Sequence, residues 1–317
     1  MVSVIIPNYN HAPFLRERID SVLAQDYSDF EVILLDDCST DGSRDIINSY
    51  KDHPKVSHVV FNEQNSGSTF IQWERGMQLA QGKFIWIAES DDVAMPTFLS
   101  SLVPRLGVDA LASVAYCHSF LIDAQGRRLS AQNDRNPAPK RKMTHHFGNT
   151  FIKYLLDFNY IYNASMAVFR RKAIADINRD YMKYRYCGDW HFWASLCRRG
   201  NVLEVHDMLN GFRQHPSKVT ELSKEDTVAR WTDELEVLSY IHRLCHLNSL
   251  ENHCFQGRIS KRLHAAHMDA DIERELRQRF APICGGSLDV MCYEVGKTLF
   301  GFLRHRQHLG FLSSFKP

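Results

Sequence analysis

Three carboxylates stand within four residues directly after an apolar run. Glu89-Ser90-Asp91-Asp92 follows Lys83–Ala88, a segment of strand length that is rich in aromatic and β-branched residues. Ligands of open α/β sheets bind at the carboxyl ends of the strands, and clustered acids repel one another unless a cation lies between them. The pattern therefore indicates a divalent cation held by oxygen ligands. A solvated acidic turn is the alternative, and these acids alone do not decide between the two.

Two earlier strand ends are also polar. The apolar run Val2–Ile6 is stopped by Pro7 and leads into Asn8-Tyr9-Asn10, and the run Glu31–Leu35 leads into Asp36–Asp41. If these runs are neighbouring parallel strands, their polar ends meet the acidic turn at one edge of the sheet. The first turn has no glycine-rich fingerprint, which argues against a dinucleotide oxidoreductase.

The elements that position these ends alternate along the chain. Strands are predicted at 2–6, 31–35, 56–61 and 83–88, with helices over 14–23, 43–50 and about fifteen residues that end at Gly82. Ser39 or Thr40 is expected to cap the second helix, and Gly82 to terminate the third as a C′ glycine. This β-α-β-α-β-α-β order predicts a parallel sheet with right-handed crossovers.

The second half of the chain mixes strands, loops and helices. Strands are expected at 114–122, 164–169 and 202–205, a hairpin turn at 123–126, helices at 96–106 and 147–158, and an exposed loop at 127–142. Asp189-Trp190 opens a further helix. From about Ser223 an amphipathic helix begins, so we predict a domain of residues 1–222, with halves 1–110 and 111–222, and a helical region of residues 223–317.

Composition excludes several classes of protein. The 317 residues carry 38 Lys and Arg against 37 Asp and Glu, so no net charge favours nucleic acid. The eight Cys form no C-x-x-C pair and are expected to be reduced thiols. The first residues read as a strand rather than a signal peptide, and no run approaches the length of a membrane span. We expect a cytoplasmic protein, with peripheral contact at the inner face of the membrane as a further possibility through residues 296–312.

Taken together, these stretches resemble the family 2 glycosyltransferases, inverting enzymes with the GT-A fold. The opening VSVIIPNYNHAPFLRERIDSVLAQDYSDFEVILLDDCSTDGS is similar to their nucleotide-binding signature, and the segment from Asn65 to Asp92 to their second block. CGDWHFWASLCRRG followed by GFRQH resembles the block that carries the base. The resemblance covers roughly residues 1–220 and leaves out the last hundred.

The resemblance implies a nucleotide site. Pro7, Tyr9 and Asn10 stand where the family holds the nucleoside, and Asp37 matches the acid that accepts a hydrogen bond from the base, with Asp36 orienting the loop. An alternative for this acid pair is a favourable interaction with a helix N-terminus.

A second nucleotide contact is implied further along the chain. Asn65 and Gly67 resemble it, because a residue without a side chain lets the backbone approach a ligand. Arg75 either reaches the diphosphate or is a solvated helix residue.

The resemblance also implies catalytic and metal-binding residues. Asp92 is expected to bind Mg²⁺ or Mn²⁺, and Asp91 to contact the ribose or the donor sugar. Asp189 matches the general base, although Gly188 replaces the usual Glu before it, and capping of the following helix is the alternative. His215, in an Arg-x-His segment with Arg213, is expected either to contact the diphosphate or metal, or to be packed.

These features predict an inverting, metal-assisted transfer of a sugar from a nucleotide sugar, most simply a UDP-sugar, to a hydroxyl of a glycan or lipid-linked acceptor. A non-catalytic nucleotide-sugar-binding subunit of a glycan assembly system is the alternative. A nucleotidyltransferase would be expected to carry a glycine-rich, basic phosphate loop where Pro7–Asn10 stands.

Overall fold

The chain forms two compact units. The computed structural model describes residues 1–129, 142–216 and 226–304, with side chains up to residue 297. The first unit comprises Met1–Gly148, Ile161–Met182 and Ser195–Lys218, and the second comprises Asn149–Tyr160, Lys183–Ala194 and Val219–Pro317. The domain boundary near residue 222 stays a prediction, and the second unit includes two segments that precede it.

One sheet organises the first unit. Within the described residues it has nine strands: β1 (Val2–Asn8), β2 (Phe30–Asp36), β3 (Val56–Phe61), β4 (Phe84–Ile87), β5 (Val93–Ala94), β6 (Ala112–Ile122), β7 (Met143–His146), β8 (Ala167–Arg170) and β9 (Asn201–Arg213). Their order is β3-β2-β1-β4-β8-β6-β9-β5, and β7 pairs with β9.

The predicted parallel half of the sheet is confirmed. Strands β3, β2, β1 and β4 pair in parallel, and they are connected by α1 (Ala12–Leu23), α2 (Ser43–Tyr50) and α3 (Thr69–Leu79). Every residue of β1, β2 and β4 is buried, as their nearly continuous apolar sequences require when helices cover both faces. Their carboxyl ends therefore open onto a common edge.

Pro7 lies inside β1 rather than after it. The pairing of β1 with β4 ends at Ile5, while its pairing with β2 continues to Asn8. A proline has no N–H to donate, and it is tolerated where one side of the strand is no longer paired.

The predicted cap of α2 was wrong. Its N-cap residue is Gly42, which has no side chain to accept a hydrogen bond. The Ser39 hydroxyl instead accepts from the backbone N–H of Asn10, so it joins the ends of β1 and β2.

The predicted role of Gly82 was also wrong. Helix α3 ends at Leu79, and Ala80 follows it in an extended conformation. Gly82 lies against the start of β1, where an added Cβ would come within 2.6 Å of the backbone nitrogen of Ser3. Close packing between chain segments, rather than helix termination, requires the glycine here.

The other half of the sheet is mixed. Strand β8 is antiparallel to β4 and β6, β6 is parallel to β9, and α4 (Phe98–Val108) precedes β6. The short strand predicted at 202–205 is part of the longer strand β9, whose register against β6 shifts between Val205 and Met208. The turn at Asp123–Gly126 is confirmed, since the Asp123 carboxylate accepts from two backbone N–H groups of the turn. Most of the loop predicted at 127–142 lies outside the described residues.

Helices make up the second unit. They are α5 (Gly148–Leu155), α6 (Gly188–Cys197), α7 (Thr227–Leu244), α8 (Ser249–Ala265), α9 (Ala270–Arg279) and α10 (Ser287–Arg304), of which α5 and α6 extend into the first unit at one end. The predicted amphipathic helix is α7, with the Asp226 side chain at its N-cap. Among the helices described, none is both long enough and apolar enough to cross a bilayer. The side chains of the surface segment predicted at 296–312 lie almost entirely outside the described residues.

Gly82→Ala tests the close approach to β1. The new methyl group would overlap backbone atoms of Val2 and Ser3, so we expect the free energy of unfolding to fall by roughly 1–3 kcal/mol. Gly107→Ala is the matched control, because Gly107 is in α4 and an added Cβ there meets nothing within 4 Å. Higher helix propensity should make that variant slightly more stable. Denaturant unfolding measures both, and equal stability of the two variants would contradict the assigned role of Gly82.

Candidate active site

The polar ends of β1, β2 and β4 meet as predicted. The Asn8 amide donates to the Asp36 carboxylate at 3.0 Å and to the Ser39 hydroxyl at 3.1 Å, which joins β1 to β2. His11 Nδ1 lies 2.8 Å from Ser90 Oγ, which joins the first turn to the acidic turn after β4. Side chains from three separate loops therefore form one polar edge.

Asp36 is buried and holds its own loop. Its carboxylate accepts from Asn8, from the backbone N–H of Ser39 and from the Arg44 guanidinium. These contacts agree with the loop-orienting role predicted for it, and they use both of its oxygens.

Asp37 is surrounded by donors of the first unit. Its Oδ1 accepts from Asn62 Nδ2, the backbone N–H of Ser66 and Gln72 Nε2, while Oδ2 accepts from Ser66 Oγ at 2.7 Å. Asp37 is only 4% exposed. Oδ1 is saturated, and Oδ2 retains capacity for a further donor such as a base N–H.

The second predicted nucleotide segment lies beside Asp37. Asn65 Nδ2 donates to the Asp37 carbonyl, and Asn65 Oδ1 accepts from the Gly67 N–H at 2.8 Å. Gly67 has φ +75°, a left-handed conformation that favours glycine. Arg75 is exposed and donates to the Asn62 side chain, so it is linked to Asp37 through one residue.

The first loop is shaped by side-chain contacts to its neighbour. Asn10 has φ +54°, and its Oδ1 accepts from the Thr40 N–H at 2.8 Å. Tyr9 is 47% exposed at the edge, whereas Pro7 is buried within β1. Of the three residues predicted here, Tyr9 and Asn10 are open to a ligand.

Asp92 is an interior residue. It has no exposed surface; its Oδ2 accepts from Asn163 Nδ2 and Ser165 Oγ, each at 2.7 Å, and its Oδ1 accepts from the Arg213 N–H at 3.0 Å. Burial and the neighbouring charge of Asp91 raise the pKa of Asp92 to about 6. Its lone pairs point at protein donors rather than at the open edge.

Asp91 differs from Asp92 in that the partner of its carboxylate is a histidine side chain. Its Oδ2 lies 3.0 Å from His215 Nε2, and the His11 ring is 5.7 Å from that of His215. Burial alone would raise the pKa of Asp91, but the His215 hydrogen bond and the two imidazoles lower it below its usual value. Asp91 is therefore the acid of the turn that loses its proton at the lowest pH.

His11, Asp91 and His215 form a potential ligand set. One ligand atom from each lies within 4.8 Å of the other two. Burial lowers the pKa of His11, which keeps that imidazole neutral as ligation requires. A carboxylate with two imidazoles is a donor set that fits a divalent transition metal such as Mn²⁺.

Two further ionisable side chains, Glu89 and Arg18, lie close to Asp91 and Asp92. Burial and Asp91 raise the pKa of Glu89 to about 8, and its carboxyl accepts from Trp73 Nε1 at 2.8 Å. The fully buried Arg18 donates to the Glu89 carbonyl, and its Nη2 lies 3.8 Å from Asp92 Oδ2. The Arg18 cation thus offsets part of the buried negative charge.

Arg213 holds the backbone of the acidic turn in place and is not available to a ligand at the open edge. Its guanidinium donates to the carbonyls of Asp91 and Asp123 and to the Glu17 carboxylate, and the residue has no exposed surface. The two residues of the predicted Arg-x-His segment therefore have different roles. Arg213 holds the backbone of the turn, and His215 contacts the Asp91 carboxylate.

Asp189 lies in the first turn of α6, in the second unit. Asn159 Nδ2 donates to its Oδ2 at 2.9 Å. Burial raises the pKa of Asp189 to about 7, against the opposing effects of the Trp190 N–H and Asn159. The helix begins at Gly188, so Asp189 is not its cap. Trp190 donates to the Leu155 carbonyl, and Trp193 has no exposed surface, so both rings pack internally.

The C-terminal helices support the segment that carries Asp189. Within the second unit, Asp233 of α7 accepts from the backbone N–H groups of Arg185 and Tyr186 at 2.8 and 2.9 Å. Tyr240 of α7 stacks on His191 with ring centroids 4.0 Å apart. Sequence analysis had assigned no role to this region.

Sequence analysis missed His11, Arg18 and the pair Asn163 and Ser165. Arg18 had a detectable signal, because it lies three residues after Leu15 and four before Val22, on the apolar face of α1. A charge at such a position requires a buried partner. The others are far from the acidic turn in sequence, and no local pattern marks them.

The chain resembles known proteins in both sequence and fold. The family model described as Glycosyl transferase family 2 matches residues 3–177, more than half of the chain. A relative named putative teichuronic acid biosynthesis glycosyltransferase TuaG, from Bacillus subtilis, is 40% identical over 92 residues, which are 29% of this chain and 36% of that protein. The chain thus aligns with about a third of this relative's length.

Two solved structures share the fold. The S. aureus TarS 1–349 complex with UDP-GlcNAc has a TM-score of 0.68 at 17% identity, covering 99% of this chain and 89% of that one. Mannosyltransferase PcManGT from Pyrobaculum calidifontis, in complex with GDP-Man and Mn²⁺, has a TM-score of 0.55 at 16% identity, covering 99% and 84%. The likeness confirms the predicted GT-A fold. With the family match over residues 3–177, the chain belongs to the family 2 glycosyltransferases.

Proposed function

We propose that this chain is a metal-assisted inverting glycosyltransferase that moves a sugar from a UDP-sugar to a hydroxyl of a glycan or lipid-linked acceptor. The observation that carries the proposal is the polar edge of the first unit. His11, Asp37 and Asp91 follow the neighbouring parallel strands β1, β2 and β4, and His215, which follows β9, joins His11 and Asp91 there. Ligands of such sheets bind at this edge.

The donor is held by the loops after β1, β2 and β3. Tyr9 and Asn10 border the nucleoside, Asp37 accepts a hydrogen bond from the base through Oδ2, and Gly67 lets the backbone approach. Arg75, which is exposed and close to Asn62, is a candidate for the diphosphate. UDP-GlcNAc and UDP in the TarS structures favour a uridine donor over the guanosine donor of PcManGT.

We propose that the two adjacent acids have the reverse of the roles that the sequence predicts for them. We assign the cation to Asp91, with His215 and His11, because Asp92 has its carboxylate bound by protein donors on both oxygens. A bound divalent cation would offset the charge that develops on the leaving diphosphate. The two imidazoles favour Mn²⁺ over Mg²⁺, which prefers oxygen ligands, and the Mn²⁺ in the PcManGT complex supports this choice.

Asp189 is assigned as the general base. Inversion needs one carboxylate that takes the acceptor proton as the hydroxyl oxygen attacks the anomeric carbon. A pKa near 7 makes Asp189 a stronger base than an ordinary aspartate while leaving much of it ionised at neutral pH. The Asn159 amide holds the carboxylate in place through Oδ2.

The acceptor is proposed as a surface glycan or its lipid-linked precursor, at the cytoplasmic face of the membrane. The name of TuaG, which refers to teichuronic acid biosynthesis, supports a glycan acceptor. A non-catalytic nucleotide-sugar-binding subunit remains the second candidate, because Gly188 stands where the family has a glutamate.

The metal assignment predicts different behaviour for two neighbouring variants. With UDP and Mn²⁺ together, wild-type protein should melt at a higher temperature than with UDP alone, because a ligand at about 100 times its Kd stabilises by about 2.7 kcal/mol. Asp91→Asn should lose the Mn²⁺-dependent part of the shift. Asp92→Asn should unfold more easily, by roughly 3–5 kcal/mol, because it removes the carboxylate that offsets the buried Arg18 cation, and should retain a Mn²⁺-dependent shift.

Thermal-shift and denaturant measurements with UDP, GDP and CDP decide the outcome. Loss of the Mn²⁺ effect in Asp92→Asn, together with its retention in Asp91→Asn, would restore the original assignment. The absence of any nucleotide-dependent shift in the wild type would remove both the transferase and the binding-subunit proposals.

Asp189→Asn should lower the rate of UDP release from the donor by roughly 10²–10⁴-fold and leave the nucleotide-dependent thermal shift unchanged. For the wild type, the rate should rise about tenfold per pH unit below 7 and level off above it, because the base acts in its ionised form. Wild-type protein that binds UDP yet shows no turnover across an acceptor panel would favour the binding subunit.

Asn159→Ala provides a second check on the base. The Asn159 hydrogen bond stabilises the ionised carboxylate, so its removal should move the midpoint of the pH–rate profile upward. An unchanged midpoint would mean that another group controls the profile.

A further inference from the structure

We propose that His118, Glu204 and His206 form a second metal site, for Zn²⁺, in the sheet of the first unit. This site shares no residue with the donor site, and it does not depend on the proposed function. Each of the three residues offers one ligand atom, and these atoms lie within 4.8 Å of one another.

Three strands bring these side chains to one face of the sheet. Tyr116 of β6 pairs with Glu204 of β9, and His118 lies two residues further along β6 on the same face. On its other side, β9 pairs with β7, with Thr144 opposite Glu204 and His146 two residues away. Residues two apart on a strand share a face, so His118, His146 and Glu204 converge from neighbouring strands.

The register shift in β9 adds His206. Cys117 pairs with Val205 but the next residue, His118, pairs with Met208, so His206 and Asp207 are extra residues on β9. A bulge of this kind re-aims side chains. It brings the His206 ring to 5.3 Å from the His118 ring, centroid to centroid.

The distances suit coordination by one small ion. His118 Nε2 lies 3.0 Å from Glu204 Oε1, and His206 Nε2 lies 3.8 Å from Glu204 Oε2. Ligands about 2.0–2.1 Å from a tetrahedral zinc are separated from one another by roughly 3.3 Å. The two observed separations run to different oxygens of Glu204 and lie on either side of that value, so a rotation of the carboxylate, or binding through both of its oxygens, would complete the geometry.

The surroundings supply an outer contact and a path for entry. His146 Nε2 lies 2.9 Å from Glu204 Oε2, which holds the carboxylate as outer hydrogen bonds commonly hold metal ligands. The His118 side chain is 3% exposed, while that of Glu204 is 19% exposed.

The chemical types of the three ligands favour Zn²⁺ over Mg²⁺ and Ca²⁺. Two imidazoles and one carboxylate, with water in the fourth position, are typical zinc ligands, whereas Mg²⁺ and Ca²⁺ prefer oxygen alone. A bound Zn²⁺ would join β6 to β9 directly, and would join β7 to them through His146. Its expected effect is to stabilise this part of the sheet.

Co²⁺ reports on such a site because its visible absorption is intense only in tetrahedral surroundings. The full-length Asp91→Asn variant removes a proposed ligand of the donor-site metal, so that the remaining binding can be counted. We expect about one equivalent of Co²⁺ with tetrahedral bands, displaced by Zn²⁺, and a rise in melting temperature when Zn²⁺ is added.

Further substitutions in the Asp91→Asn background identify the ligands. His206→Gln and Glu204→Gln should each weaken Co²⁺ binding by more than about 100-fold, and His146→Gln by about 10- to 100-fold. His145→Gln is the matched control. His145 is next to His146 in β7, but its side chain contacts the Asp109 carboxylate, so this substitution should not alter binding. Unchanged metal-free melting temperatures would show that the variants fold.

Two results would overturn the proposal. One is the absence of stoichiometric Co²⁺ or Zn²⁺ binding to the Asp91→Asn protein. The other is binding that persists in both His206→Gln and Glu204→Gln, or that falls equally in His145→Gln. In either case the cluster would be a set of histidines hydrogen-bonded to one glutamate.

Discussion

The burial of the Asp92 carboxylate is the constraint on which the rest of the candidate site depends. A charge removed from water is costly unless donors and an opposite charge surround it. Asp92 meets this condition with Asn163, Ser165, the Arg213 N–H and the Arg18 guanidinium. These partners come from three different parts of the chain, so one carboxylate fixes α1, β9 and the segment before β8 against the end of β4.

That anchoring determines the direction of its neighbours. With Asp92 turned into the interior, Asp91 is left at the edge of the sheet, where its carboxylate meets His215. The hydrogen bond from the Arg213 N–H to Asp92 also sets the end of β9, two residues before His215. The proposed ligand set is therefore a consequence of a network that itself touches no ligand. Asp37 follows the same logic at the end of β2, where protein donors saturate Oδ1 and leave capacity at Oδ2.

Much of the parallel half of the sheet could be predicted from the sequence because β1, β2 and β4 are buried on both faces. Such strands have continuous apolar runs, and their polar ends identify the ligand edge without knowledge of the fold. The order of Asp91 and Asp92 was harder to interpret, since two adjacent acids look alike until their partners are known. Most of those partners follow the two acids by more than seventy residues. Arg18 precedes them by a similar distance, and its position on the apolar face of α1 is visible only when each residue of that helix is assigned to a face. The errors at Ser39 and Gly82 have the same origin, because each residue serves a long-range contact rather than the end of its nearest helix. Strand β9 was predicted only over residues 202–205 because its register shift interrupts the alternation that indicates a strand.

The most direct test of this account is a crystal structure of the protein with UDP and Mn²⁺, with anomalous scattering data collected at the manganese absorption edge. The account predicts an anomalous peak bonded to Asp91 and to His215, with Asp92 still held by Ser165 and Asn163. A peak bonded to Asp92, with those two hydrogen bonds broken, would contradict it.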